Sequence, residues 1–419
     1  MRLALSKAIA GCLVILSAAA LSACGGTGNN SSSAGAGTTG PAGKVVDIYS
    51  SLPMHGPAAA ETIPLVNGIR LALADAGGKA GPFTVQYGAL DDSAGTGGWD
   101  ASQTAANARK AAEDPRAVYY IGEFDDAASE VSMPILNEAG IPQVSPANTY
   151  VGLTTGAPSS YWPTGTRTYL RIVPTDSVQA AADLLAMHQS GCARLAVASD
   201  NEAYGTSLAK LITLQKSDYG IDVVNNTAIN PDAQSFRAYV MMLKDLRANC
   251  LMVAGVVSRG VIELTKEVHA ELPATKIFAP ADMCTGAWTN PKDGGVPATV
   301  DPLIECTEVT QSIAAYPGGK AFLAAYRARY PGSDPNPYAI FGYEAMKLGL
   351  STIAGLGANG DSKSAVLSAL FATAGRHSVL GTYSFNKVGD TTLRSIGLYR
   401  VGATGDPTFF KTITPSHVL

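Results

Sequence analysis

Residues 250–279 read CLMVAGVVSRGVIELTKEVHAELPATKIFA. An apolar run at 251–255, a helical pattern at 260–270 and a second apolar run at 276–279 follow one another with short polar breaks. Strand, helix and strand in that order form a unit whose two strands lie parallel in one sheet. Outward from it, toward the N-terminus, the pattern predicts a helix at 233–247, a strand at 221–228, a helix at 203–219, a strand at 194–198 and a helix at 176–189. A Pro- and Gly-rich stretch at 152–166 separates this series from an earlier one. The earlier series has strands at 45–50, 83–90, 117–121 and 141–145, with helices at 63–76, 101–113 and 127–139. Helices return at 320–330, 338–354 and 362–374, and two strands close the chain. Strands alternating with helices of this length specify α/β architecture, here two doubly wound parallel-sheet lobes.

The composition agrees. Of 419 residues, 46% are hydrophobic and 15% charged, too apolar for a disordered chain. Thirty basic residues stand against 34 acidic ones, so the basic excess that a nucleic-acid partner requires is missing. The motifs GxSxG, HExxH and the P-loop do not occur, which leaves no sequence signal for an enzyme. Neither a cofactor nor a metal site is expected.

Arg2 and Lys7 precede a short apolar run at 8–16 and then small residues, the pattern of a secretory signal. The run is shorter than the ~20 residues a spanning helix needs. Leu21-Ser22-Ala23-Cys24 resembles the bacterial lipobox, in which cleavage leaves a lipidated Cys24. An ordinary signal peptide is the competing reading. Residues 25–43 hold no charged, aromatic or large aliphatic side chain and read as a flexible tether with an r.m.s. reach of roughly 24 Å. A formal GxGxxG at 35–40 lies inside that tether, with no strand before it or helix after it, so it is no nucleotide fingerprint.

Four cysteines remain beyond Cys24: Cys192, Cys250, Cys284 and Cys306. Outside the cytoplasm an even number of thiols usually pairs. Cys192 and Cys250 each stand just before an apolar run, and parallel neighbouring strands would bring those starts together, leaving Cys284 for Cys306. Free buried thiols are the alternative. The absence of CxxC spacing argues against zinc.

In open α/β sheets ligands bind beyond the carboxyl ends of the strands. The loops there read SLPMHG at 51–56, GEFDD at 122–126, PANT at 146–149, DNEAYG at 200–205, VVSR at 256–259 and PAD at 280–282. With NGIRLA at 67–72, LDDS at 90–93, PILNEAGIPQVSPANT at 134–149, YAIFGYE at 338–344 and LGTYSF at 380–385, they resemble the type I periplasmic binding proteins, near the branched-chain amino acid (Leu/Ile/Val) branch. The similarity runs from about residue 44 to near the C-terminus. The resemblance implies a three-crossing hinge, with lobe 1 formed by 44–172 plus 312–378 and lobe 2 by 173–311 plus 379–419, after a signal at 1–23 and a tether at 24–43. It implies a small-molecule ligand, ABC permease and ATPase partners, membrane attachment through the N-terminal lipid and a monomeric protein outside the cytoplasm. A lipoprotein that reports its ligand to a membrane receptor is the alternative function.

The resemblance also implies a set of ligand contacts. Ala147 and Thr149 match the loop that takes a ligand carboxylate, Tyr204 matches an aromatic cover, and Asp282 matches the acceptor for an ammonium, with Ala281 competing for that position. Two departures stand out. Asp126 occupies the place of a carboxylate-binding Ser, although an ionised Asp offers only acceptors. Val256 and its neighbours stand where a second Tyr is common. The substitution at Asp126 points away from a standard amino acid and toward an amide, a urea-like compound, a polyol or an amine. Alternatively Asp126 faces solvent, or backbone N–H groups bind the ligand. His55, in the first loop, either lines the cleft or sits on the surface.

Overall fold

The computed structural model describes residues 44–95 and 98–419. Cys24 and the signal and tether readings lie outside those residues. The first sheet is built on β1 (Val45–Leu52), whose Val46, Ile48 and Leu52 are fully buried on one face and whose Asp47 and Ser51 are buried on the other. Burial on both faces is what a parallel strand covered by helices requires. The chain continues through α1 (Ala59–Asp75), β2 (Lys79–Ala80), β3 (Phe83–Asp91), α2 (Ala101–Glu113), β4 (Ala117–Ile121), α3 (Asp126–Glu138) and β5 (Gln143–Ser145). Two short helices, α4 (Gly152–Thr155) and α5 (Pro158–Tyr161), lead to β6 (Tyr169–Arg171). The strand order is β2-β3-β1-β4-β5-β6, with only the two-residue edge strand β2 antiparallel.

The second sheet takes α6 (Asp176–Gln189), β7 (Arg194–Ser199), α7 (Ala203–Gln215), β8 (Asp222–Ala228), α8 (Arg237–Asp245), β9 (Cys250–Ala254), α9 (Arg259–Glu271) and β10 (Lys276–Ala279). After the short α10 (Gly286–Thr289) comes β11 (Ile304–Glu308). The chain then covers the first sheet again with α11 (Gly319–Arg329), α12 (Tyr338–Gly355) and α13 (Lys363–Phe371). A hairpin of β12 (Arg376–Ser378) and β13 (Gly381–Tyr383) precedes β14 (Ile396–Val401) and β15 (Pro407–Ile413), antiparallel strands that complete the order β15-β14-β11-β10-β9-β7-β8. The chain thus passes between the sheets three times.

Local chemistry explains the register and the differences from expectation. Helix α12 lies against α1 because both are notched: a Cβ on Gly68 would strike Ala339 O, and one on Gly342 would strike Leu65 O. The helix expected at 233–247 is shorter: it begins only at Arg237, and the left-handed φ of 51° at Arg247 stops it at its C-terminal end. Strand β11 escaped prediction because its IECTE sequence alternates apolar and polar residues after a loop rich in Pro and Gly. Its Glu305 is buried as the acceptor of Arg400 Nε at 2.8 Å and Ser190 Oγ at 2.9 Å.

Pairing of β7 with β9 sets Leu195 beside Cys250, and the Cα atoms of Cys192 and Cys250 are 5.7 Å apart. Cys306 on β11 pairs in register with Ala279 at the end of β10, and Cys284 follows that strand, 5.6 Å from Cys306 by Cα. Both separations suit a disulfide.

Candidate functional site

Beyond the carboxyl ends of β4, β5 and β10, loops from both sheets enclose a cavity of about 220 Å³. The first-sheet wall is two loops joined to each other. Ser145 Oγ donates to Glu123 O at 2.9 Å and accepts from the N–H groups of Ala147 (3.1 Å) and Asn148 (2.9 Å). Asn148 Nδ2 donates to Phe124 O at 2.9 Å, while its Oδ1 accepts from Ser129 Oγ and Tyr169 Oη. This network fixes Phe124, Asp125, Asp126, Ala147 and Thr149, all of which line the cavity. Asp126 opens α3 and accepts from the backbone N–H of Tyr150 at 3.2 Å, so its carboxylate also links the two loops.

Asp200 organises the opposite wall. Nearly fully buried, it accepts from Glu202 N at 3.0 Å and Val256 N at 2.9 Å. Its carboxylate fills the space that a side chain on Gly205 or Gly255 would need. The glycine after Tyr204 therefore makes room for the group that shapes the loop. Tyr204, one residue into α7, directs its hydroxyl at Gln179 Oε1, 3.5 Å away, and both line the cavity with Ala281, Asp282 and Val309. Tyr338, opening α12, completes the lining and meets Phe124 edge-on at 5.1 Å between ring centres.

Five of the seven sequence-predicted contacts thus converge: Asp126, Ala147, Thr149, Tyr204 and Asp282, with Ala281 beside Asp282. His55 and Val256 stand apart. The exposed His55 is bound through Nδ1 to Asp91 at 2.5 Å. Burial pushes Asp91 upward, but hydrogen bonds from Ser93, Met54 and His55 outweigh it and hold the carboxyl at about 2. Val256 is 41% exposed and contributes its backbone N–H to Asp200. Phe124, Asp125, Gln179, Val309 and Tyr338 were not anticipated; Asp125 sat in a loop already singled out, whereas Val309 follows the strand that sequence reasoning missed.

The electrostatics are one-sided. Burial and the charge of Asp176 push Asp126 up to about 7, against the pull of Arg171. Burial, Asp92 and Asp282 push Asp125 up to about 6. Asp282 is raised by desolvation and by Asp200. Behind the lining, Glu61 is raised by burial, Asp282 and Asp125, and Glu308 is raised well above its ordinary value by burial, Asp282 and Glu61. Among the described residues, no three His, Cys, Asp or Glu side chains are grouped to hold a metal ion, and no helix is long and apolar enough to cross a membrane.

Residues 50–406 match the family model described as periplasmic binding protein. Among solved structures, a leucine binding protein from Thermotoga maritima is 21% identical, with a TM-score of 0.65 over 88% of this chain and 99% of that one. An ABC transporter substrate-binding protein from Desulfitobacterium hafniense in complex with Leu is 18% identical, with a TM-score of 0.70 over 88% and 100%. A solute binding protein of an ABC transporter from Rhodopseudomonas palustris, in complex with p-hydroxybenzoic acid, is 17% identical, with a TM-score of 0.67 over 89% and 98%. These identities show a shared fold. Among curated proteins none matches the chain.

Proposed function

The chain belongs to the periplasmic binding protein family, and from that premise we propose that it is the extracytoplasmic solute-binding component of an ABC importer. One observation carries the reading: a single cavity is lined by Asp126 and Thr149 from the first sheet's loops and by Tyr204 and Asp282 from the second's. A ligand touching both walls binds the closed form better than the open one, and that difference in affinity drives closure. The lobes are 44–172 plus 312–378 and 173–311 plus 379–419, moving about the three crossings. Asp126, Ala147, Thr149, Tyr204 and Asp282 contact a small polar solute.

The same proposal includes a monomer released from a signal peptide at 1–23 and lipidated on Cys24. Two disulfides, Cys192–Cys250 and Cys284–Cys306, suit that oxidising location. Native mass spectrometry of freshly purified protein, followed by thermal-shift titration with amino acids, amides, polyols, aromatic acids and amines, tests the central claim. A saturable ligand that raises the melting temperature and narrows the small-angle scattering envelope is expected. No stabilising compound from any class would overturn it. Loss of radiolabelled palmitate in Cys24→Ser tests the anchor.

A further inference from the structure

Among the described residues, the acids of the cavity that would hold the solute outnumber the one cation that acts on them, Arg171. Asp125, Asp126 and Asp282 line the cavity, and among the described residues no Lys, Arg or His does. Glu61 of α1, Asp176 at the start of α6 and Glu308 at the end of β11 act on the same carboxylates from behind. The cation nearest in this network, Arg171, is fully buried and already committed. Its Nε donates to Asp390 at 2.8 Å, its Nη1 to Tyr150 O at 2.8 Å and its Nη2 to Thr154 Oγ1 at 2.8 Å.

A second observation concerns the hydrogen bonding of one of these acids. Asp176 is 1% exposed, and its Oδ1 has no hydrogen-bond partner among the described residues. Its backbone N–H bonds the carbonyl of Thr149, a lining residue, whose side chain and Arg171 also act on the Asp176 carboxyl, so the unmatched oxygen belongs to a residue tied to the cavity loop. Buried acceptors of this kind are costly unless a donor reaches them. The other lining residues are three aromatic ones and the uncharged Ala147, Thr149, Gln179, Ala281 and Val309. Phe124, Tyr204 and Tyr338 present three rings to the same space, and ring faces attract cations.

We propose that the cleft takes a small protonated amine carrying no carboxylate, held between Asp125 and Asp126 on one wall and Asp282 on the other. The proposal rests on the solute-binding reading and specifies its ligand class. N–H donors of an ammonium form charge-assisted hydrogen bonds with carboxylates. A ligand carboxylate would face the like charge of Asp125, Asp126 and Asp282, with only the neutral donors of Thr149, Gln179, Tyr204 and Tyr338 to set against it. The same charges couple binding to closure: without ligand, approach of the walls sets like charges together, and an ammonium between them turns that repulsion into attraction. Because Asp125 and Asp126 lose their protons only around pH 6 and pH 7, crowded as they are in the cleft, an ammonium displaces those protons and binds more tightly as pH rises from about 5 to about 7. An anionic ligand has the opposite dependence.

The test is calorimetric titration of the purified full chain with putrescine and isoamylamine, against leucine (the carboxylated counterpart of isoamylamine), benzoate and calcium ion, at several pH values. Saturable amine binding that strengthens with pH, with leucine about tenfold or more weaker, is expected. Asp126→Asn and Asp282→Asn, which remove like charge and so spare the fold, should each weaken amine binding about tenfold or more. Tight leucine, benzoate or calcium binding with the amines inert would overturn the ligand class and leave a solute-binding protein. Affinity that rises as pH falls, or amine binding unchanged in both variants, would also overturn it. Silence from every compound in the wider thermal-shift panel would remove the solute-binding reading itself.

Discussion

Arg171 and Asp390 form a buried ion pair, Nε to Oδ1 2.8 Å, joining the end of β6 to the segment that returns the chain from β13 to β14. The guanidinium is 0% exposed, and its remaining donors close on Asn148 O, Tyr150 O and Thr154 Oγ1. One side chain therefore ties the first and third passages between the sheets to the loop that carries Thr149. Arg171→Met should destabilise the protein by about 3 kcal/mol or more, because it leaves a desolvated carboxylate unpaired. Arg171→Lys should fall between, since an ammonium replaces only part of the fork. Urea denaturation of the three proteins measures the order.

Gly205→Ala should be costly for a reason remote from helix propensity. Its Cβ would meet Asp200 Oδ1 and Ala254 O, and moving Asp200 releases the N–H groups of Glu202 and Val256. A loss of about 1–3 kcal/mol is expected, together with weaker ligand binding because Tyr204 rides on the same turn. Gly355→Ala, also at a helical glycine but facing open space, should be neutral or mildly stabilising. Thermal melts of the pair separate steric cost from composition.

Much of this arrangement was legible in the chain. Strand and helix alternation marked both sheets because parallel strands buried on two faces must be continuously apolar, as 117–121 and 251–254 are. Asp126 and Asp282 could be singled out because each lies in a loop after a strand and matches a ligand position of the family it resembles. Gln179, Val309, Glu61 and Glu308 could not be, since their place at or behind the cleft depends on how distant segments converge. Val256 was expected at the ligand because it stands where the resembled family commonly has a Tyr, yet its N–H is consumed by Asp200, a partner 56 residues away that no local pattern announces.

If the paired cysteines are disulfides, the mature protein lipidated on Cys24 should show no reactive thiol, and unfolding in reductant should release four. Closing loops with sequence separations of 58 and 22 residues is worth about 4 and about 3 kcal/mol in the chain-entropy account. Cys192→Ser with Cys250→Ser should therefore lower the melting temperature at least as much as the Cys284 and Cys306 pair. Thiol titration with and without denaturant, then melting of the two double variants, checks both statements.

The cleft acids make a further statement about the protein without ligand. Asp126 and Asp125 are raised in the folded state, to about 7 and about 6, by burial first and by neighbouring carboxylates second. In the unfolded chain both titrate near 3.9. Between those values the folded protein holds protons that the unfolded chain has lost, so these two groups favour folding most at low pH and lose that contribution as pH rises to about 7. Most paired surface carboxylates act in the reverse sense. Asp126→Asn removes the penalty of ionising a crowded carboxyl, and should raise the unliganded melting temperature above pH 7 while leaving it nearly unchanged near pH 4. The difference between variant and wild type should therefore grow with pH across the interval and then level off. Scanning calorimetry of both proteins without ligand, in buffers from about pH 4 to about pH 8, measures it. A difference that shrank with rising pH would mean that Arg171 dominates Asp126 and that the cleft is electrostatically satisfied before any ligand arrives.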